Sequence, residues 1–571
     1  MASEREDSER RVIPRFRHAA TSAALGERAA VLSREATGLR SREWLQSQRR
    51  DFDEQPSALG ASELLGTARL LGDLESEAAA LAWLSRYAPR SYALTLPTPR
   101  SGTANLVSPD RAAPSAAMKY QRAIGECRRL LANAPNSPLS WSELARLYLI
   151  CGNKKKAINA IVVAIGLGGH HRYIYRCASR LFIHFGEKER ALSLLRSHPG
   201  LKDDPWLLSA EIAASSVLGK VSPYVGVGTK LLGADLPARS TVELAAAIAT
   251  VEQDHGHRML ARKLYARCGD SDNDNAVAQF EWARAKDKNL RLEPPVVTSA
   301  MSEAAARRAF IDQRWSEILP ACLRWVEDEQ FSSRPVLMGT YIAALGLADG
   351  YAEGEILATH GIFADRTDPA LYNNRAVLRA NQFNIQGALE DVEIAIGAES
   401  TSSLPYNLAT LGLIAYRMRD FELGRLCYQK SLDILGARGD VASSLTCALF
   451  LAREENRLSK ACSAPVLDAA GRLMKKAAIS TSSELAAMHS AIVREPPSQE
   501  SARPELAVGS MQKIFPLVQK IAGTLKIDID DIRALNNCVP TTVARETIRG
   551  DRSMTPASIE PKYVIRLPPP D

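Results

Sequence analysis

The chain has no Cys-x-x-Cys pair; its nine cysteines stand apart at positions 127, 151, 177, 268, 322, 427, 447, 462 and 538. That scatter excludes a disulfide framework and a zinc finger and predicts reduced, mostly buried thiols. Aromatic residues are scarce at 6%, so small side chains carry much of the 46% apolar content, as in closely packed helices. Long apolar runs are missing too. The longest, near Ile158 to Leu167, is broken by Gly166 and is too short to span a bilayer. No apolar run follows Met1-Ala2-Ser3-Glu4, so no secretory leader is expected and a cytoplasmic location is. Lysine is scarce as well, with 19 Lys against 53 Arg, an imbalance that GC-rich genomes produce and that points to a bacterial source. A net charge of +7 over 571 residues is too dilute to argue nucleic-acid binding by itself.

Catalytic signatures are equally hard to find. Gly226-Val227-Gly228-Thr229-Lys230 lacks the spacing of a phosphate-binding loop and the third glycine of a dinucleotide fingerprint, and reads as a helix–helix turn. Neither His-Glu-x-x-His nor Gly-x-Ser-x-Gly occurs. Asp254, His255 and His257 have metal-ligating chemistry, but they fall where a polar turn with glycine is expected; His170 and His171 have the same reading. The acidic pairs Asp203-Asp204 and Glu454-Glu455 are expected at turns, in solvent. No nucleophile, base and orienting group come together, so no cofactor, metal or catalytic residue is expected.

What is present is a period. Trp141, Leu144, Ala145 and Tyr148 form one apolar helix face, Gly152 ends it, and Ala157, Ile161 and Ala164 form a second. A step of 34 residues finds Tyr175, Ala178, Ser179 and Phe182, then Gly186, then Ala191 and Leu195. One step back, Ala123, Cys127 and Leu130 take the second-helix slots. The register returns at Ile248, Ala249, Gly256, Ala261 and Tyr265, at Tyr341, Gly354 and Ala358, at Tyr372, Ala376, Ala388, Val392 and Ala395, and at Leu408, Leu411, Gly412, Gly424, Tyr428 and Ser431. Ala448, Asn456 and Ala461 end the series. These residues resemble the tetratricopeptide repeat (TPR), a 34-residue helix–turn–helix unit. Small residues at its eighth and twentieth positions allow two helices to approach within about 8–10 Å.

The expected architecture is therefore all-α, a right-handed α-solenoid of TPR-like hairpins with less regular ends. An Arg-rich arm with short helices is expected over 1–57, where acidic Glu4, Glu6, Asp7 and Glu9 precede Arg10, Arg11, Arg15 and Arg17; it reads as a solvated or docking arm. A degenerate hairpin over 58–97 would use Leu65, Gly66, Ala78 and Ala82, and a linker would follow over 98–116. The solenoid would run over 117–493, with irregularities near 219–236 and 287–298, the second from Pro294-Pro295. A second linker would occupy 494–505 and a small helical segment with a Pro-rich tail 506–571. There, Leu517, Ile521, Ala522, Ile527, Ile532 and Leu535-Asn536-Asn537 resemble the two-helix core of a LysM domain, and Tyr563 to Pro568 its closing strand, although the opening Gly-Asp-Thr is missing.

The TPR resemblance implies a concave groove lined by first helices at positions 2, 5, 9, 12 and 13 of each unit, a surface that holds peptides or partner helices. In the unit that starts at Arg172 those slots hold Tyr173, Arg176, Arg180, Ile183 and His184. In the next units considered they hold Asn373 and Asn381, then Tyr406, Tyr416 and Arg417. Asn374-Arg375-Ala376 resembles part of the carboxylate clamp of chaperone-tail receptors, but Gly339, Ala343, Tyr406 and Thr410 stand where its other residues belong. The candidate partner-binding set is thus Tyr173, Arg176, Arg180, His184, Asn373, Asn374, Tyr406 and Arg417; solvated or inter-repeat packing roles would explain the same residues. The function expected is a non-enzymatic scaffold or adaptor that binds a protein or peptide. The alternatives are an accessory subunit of a nucleic-acid-acting complex, using the Arg-rich N-terminus, and an enzyme hidden in the flanks.

Overall fold

The structure is a computed structural model that describes residues 14–16, 39–88, 109–496 and 510–526, apart from short internal gaps. Among the described residues it is all-α: 24 α-helices and two short 3-10 helices, with no strand. In chain order these are α1 Leu39–Glu54, α2 Leu74–Tyr87, α3 Pro109–Asn133, α4 Pro138–Ile150, α5 Lys154–Leu167, α6 Arg172–His184, α7 Lys188–Arg196 and α8 Pro205–Val217. Then follow α9 Val225–Leu232, α10 Ala238–Asp254, α11 Arg258–Tyr265, α12 Asp274–Lys286, α13 Ser302–Ile311, α14 Trp315–Asp328, α15 Ser333–Ala344 and α16 Tyr351–Ala364. The last eight are α17 Pro369–Asn381, α18 Ile385–Gly397, α19 Leu404–Arg417, α20 Phe421–Ala437, α21 Val441–Leu458, α22 Lys460–Lys476, α23 Glu484–Arg494 and α24 Ser510–Leu525.

Two compact units divide the chain. The first comprises residues 1–312 with 324–332, the second 313–323 with 333–571, so the boundary falls inside α14. Helices pair with their sequence neighbours in both: α4 with α5 and α6 with α7 in the first, α17 with α18, α19 with α20 and α21 with α22 in the second. Local chemistry starts each hairpin. Pro138, Pro205, Pro369 and Pro405 stand in the first helical turn, where proline's missing N–H costs nothing, and Asn153, Asp204, Asp368 and Asp420 accept hydrogen bonds from the exposed backbone N–H groups of their helices. The turn between paired helices needs a left-handed residue. Gly152 and Gly186 supply it with φ of 66° and 79°; Phe383 and Arg419, at the same repeat position, adopt 60° and 65° without that freedom.

Packing explains the small residues. Ala145, Ala157, Ser179, Ala191, Ala376 and Ala388 are fully buried at hairpin crossings. In the α19–α20 hairpin both crossing positions are glycine: a Cβ on Gly412 would lie 2.8 Å from the Tyr428 ring, and one on Gly424 would lie 2.6 Å from the Tyr416 ring. These two tyrosines pack edge to face, 6.1 Å apart, in space that any larger crossing residue would take.

Several local expectations need correction. Ala78 and Ala82 are exposed, and the core of the N-terminal pair uses Leu64, Leu65, Ala80 and Leu84 instead; the apolar stripe of α2 lies two residues away from the assumed repeat register. Gly226 to Lys230 is helical, inside α9 rather than a turn, because Gly228 faces Ile212, Leu244 and Ile248 at a tight crossing. Asp204 is buried, capping α8 and bound to Arg172, and Glu454-Glu455 is buried in the interior of α21. A non-helical stretch with Pro294 and Pro295 separates α12 from α13. Gly66 and the LysM-like residues from Ile527 to Pro568 lie outside the described residues, as do Arg10, Arg11 and Arg17.

Candidate functional site

In the second unit, side chains on the first helices of successive hairpins are hydrogen-bonded to one another at a nearly constant sequence interval. Asn374 Nδ2 donates to Thr340 Oγ1 over 3.0 Å, 34 residues apart; Thr410 Oγ1 donates to Asn373 Oδ1 over 2.8 Å, 37 apart; Tyr406 Oη lies 2.8 Å from Ser443 Oγ, again 37 apart. Arg417 reaches back to Asn381 Oδ1 at 2.9 Å and forward to the carboxylate of Glu454. Each bond joins one repeat to the next, the nearest-neighbour coupling by which a solenoid holds its stacking. Arg375 is bound to Asp391 through two nitrogens, at 2.9 and 2.6 Å, so the residue that resembles a carboxylate clamp holds a carboxylate of its own chain.

Behind this row lies a buried charge cluster. Arg425 binds Glu455 through Nε and Nη2 at 2.9 and 3.0 Å, and the Tyr416 hydroxyl donates to the same carboxylate. Burial alone would raise the carboxyl of Glu454, but the guanidiniums of Arg417, Arg457 and Arg453 outweigh it and bring it down to about 2. Its folded pKa therefore lies below the unfolded value, so this contribution to stability is complete above the ordinary glutamate range and disappears as pH falls towards 2. A shift of this size corresponds to about 3 kcal/mol. Urea midpoints measured from pH 6 down to pH 2.5 are expected to fall, and Glu454→Gln is expected to flatten that part of the profile; an unchanged slope in the variant would refute the assignment.

The first unit has a comparable inner row. Arg172 binds Asp204 at 2.9 Å and lies 4.5 Å from the Trp206 ring. Arg176 donates to the Trp206 carbonyl at 2.5 Å and to Glu243 at 2.6 Å. Arg180 pairs with Glu329 at 3.6 Å and stands 5.1 Å from the Phe331 ring, which also meets the His184 ring at 5.3 Å. Burial pushes the Tyr173 phenol well above its ordinary range.

Of the eight candidates, Tyr173, Arg176, Arg180 and Arg417 are buried with partners inside the chain, His184, Asn373 and Asn374 are half-buried, and Tyr406 is 40% exposed. The structure brings Asn373, Asn374, Tyr406 and Arg417 together in one unit, and Tyr173, Arg176, Arg180 and His184 in the other. The carboxylates that meet the arginines were not foreseen. Glu243, Asp274, Glu303 and Glu329 are separated by about one hairpin each, and Glu243 and Glu303 lie near the start of first helices; an acidic residue recurring there was the available signal.

His257 Nδ1 lies 2.6 Å from Glu252, with the ring largely exposed. Among the described residues no group of three or more His, Cys, Asp or Glu is placed to hold a metal ion, and no helix is long and apolar enough to cross a membrane.

Fold and inner rows define the class: an all-α protein of TPR-like helical hairpins. No family model and no curated protein matches the chain. Among solved structures it is similar to a chain of the structure of Naa15/Naa10 bound to HypK-THB, with 10% identity and a TM-score of 0.20 over 85% of this chain and 88% of that one. It is also similar to yeast Tom70, with 10% identity and a TM-score of 0.23 over 89% of this chain and 99% of Tom70.

Proposed function

We propose that the protein is a non-enzymatic, cytoplasmic scaffold that binds a protein partner through the inner faces of its hairpin rows. The observation that carries this reading is the Tyr406 ring, exposed on a row whose other polar groups are joined to their neighbours. An aromatic ring held by its hydroxyl at one end keeps little freedom to lose on binding and offers a large apolar face, which suits an anchor. On the preceding first helix, half-buried Asn373 and Asn374 carry amide groups that can pair with an extended backbone. Within the same unit Arg417 supports these helices through Asn381 and Glu454; in the first unit Tyr173, Arg176 and Arg180 are buried in a supporting role and His184 packs against the Phe331 ring.

Arg15, which belongs to the Arg-rich N-terminus, is bound to two carboxylates, and that leaves it unavailable to a nucleic-acid phosphate. Quantitative affinity capture from the native host with the wild-type chain and with Tyr406→Ala/Asn373→Ala is the test. A specific partner recovered by the wild type is expected to drop by about tenfold or more with the variant, equivalent to at least 1.4 kcal/mol. Undiminished recovery by a variant with wild-type helical content would remove this surface from the proposal.

A further inference from the structure

The N-terminal residues Pro14, Arg15 and Phe16 are buried against the inner row of the first unit, far from them in sequence. Arg15 Nη1 donates to Asp274 Oδ2 at 2.7 Å and Nη2 to Glu303 Oε2 at 2.5 Å, across 259 and 288 residues. Glu329 adds to the field that holds the guanidinium charged against its burial. Phe16 is 1% exposed and meets the Phe331 ring edge to face at 6.3 Å; the same ring faces Arg180 and His184. All of these residues belong to the first unit.

This arrangement has the form of a bound peptide. Three neighbouring, non-helical residues are buried in a slot that sets two carboxylates around Arg15 and an aromatic edge against Phe16. Without Arg15, Asp274 and Glu303 would lose the guanidinium they share. Asp274 would keep the backbone N–H of Ala304 at 2.9 Å, and Glu303 would keep Arg307 at 2.8 Å, but their facing carboxylates would lose the cation between them. A guanidinium set between two buried carboxylates offsets part of their desolvation, and the same geometry would accept one from another chain.

We propose that this slot is a recognition site for an arginine–aromatic dipeptide in an extended segment of a protein partner, and that Arg15-Phe16 occupies it in cis. Two separate guanidinium nitrogens bridging two carboxylates suit arginine's planar fork rather than lysine's single ammonium, and the Phe331 edge selects an aromatic residue after it. A segment of the same chain competes intramolecularly, which raises its effective concentration over a free peptide, so a partner gains access only when its own segment binds tightly or Arg15-Phe16 leaves the slot. The inference deepens the scaffold reading by naming the partner's chemistry at a site distinct from Tyr406.

The probe is a fluorescein-labelled peptide with the sequence of residues 11–19, titrated against the full chain by fluorescence anisotropy. Binding to the Arg15→Ala/Phe16→Ala chain is expected to be at least about tenfold tighter than to the wild type. A peptide with glutamate in place of its second arginine is expected not to bind, and adding Glu303→Gln to the protein is expected to weaken the authentic peptide. No gain over the wild type, or equal binding of the charge-reversed peptide, by a chain with wild-type helical signal overturns the proposal.

Should the double variant fail to fold, a specific protease site placed over residues 24–31 of the otherwise wild-type chain decides. After cleavage of the folded protein, the labelled peptide is expected to replace the severed arm. An arm that stays in place under excess peptide, or leaves without being replaced, overturns the proposal. Because neither arm of the experiment involves Tyr406, its failure leaves the partner-capture test standing.

Discussion

Glu455→Ala is expected to destabilise the second unit by about 3–5 kcal/mol, the range for removing one partner of a buried ion pair. Arg425 is only 1% exposed and would lose both hydrogen bonds at once; the Tyr416 hydroxyl would lose its acceptor. The remaining carboxylate, Glu422, is 3.5 Å from Arg425 and partly exposed, so it offers limited compensation and places the expected value towards the lower end. Urea denaturation followed by far-UV circular dichroism measures the effect. A companion variant separates charge from packing: Arg425→Met/Glu455→Leu removes both ions and is expected to recover most of the loss, because apolar side chains of similar volume avoid the desolvation cost. A single variant within about 0.5 kcal/mol of wild type, the usual scatter for a surface change, would show that the pair is not desolvated.

Arg176→Ala should cost the first unit a similar amount, about 3–5 kcal/mol. Glu243 would lose its guanidinium partner while keeping the Asn273 amide at 3.0 Å, and the Trp206 carbonyl would lose its guanidinium donor. Reversing charge at both inner arginines, Arg176→Glu with Arg180→Glu, would set new carboxylates against Glu243 and Glu329, each at most 2% exposed, and is expected to abolish folding of that unit. Hydrogen exchange read by mass spectrometry locates the effect: protection should be lost over α6, α8 and α10 and retained in the second unit. A charge-reversed chain with native exchange would show that these arginines reach solvent. The same reasoning bars that double variant as a probe of binding, since loss of a partner would report loss of fold, whereas Tyr406→Ala leaves the packed interior alone.

Hairpin identity was legible because it rests on short-range facts. Prolines and acidic or amide caps start helices, glycines at left-handed turns stop them, and small residues recur where helices must cross closely. Those signals survive without knowledge of any distant neighbour. Where they were weak the register failed, as at Ala78 and Ala82, because a single amphipathic helix permits more than one buried face. Charged residues were legible in kind but not in place. The TPR resemblance put Arg176 and Arg180 among groove candidates, whereas the structure buries both against Glu243 and Glu329, which lie 67 and 149 positions further along the chain.

Sequence alone thus determined the repeating hairpin and its all-α class. Tertiary structure decided which first-helix side chains are buried, such as Arg176, and which stay exposed, such as Tyr406. A guanidinium beside water and one beside a buried carboxylate are the same letter, and only the stacking of hairpins brings the carboxylate within hydrogen-bond distance and excludes the solvent. The same holds for Arg15 and Phe16. Nothing local distinguishes them from a solvated arm, and it is the inner face of the first unit, with Asp274, Glu303 and Phe331 converging from three separate segments, that makes them a bound ligand.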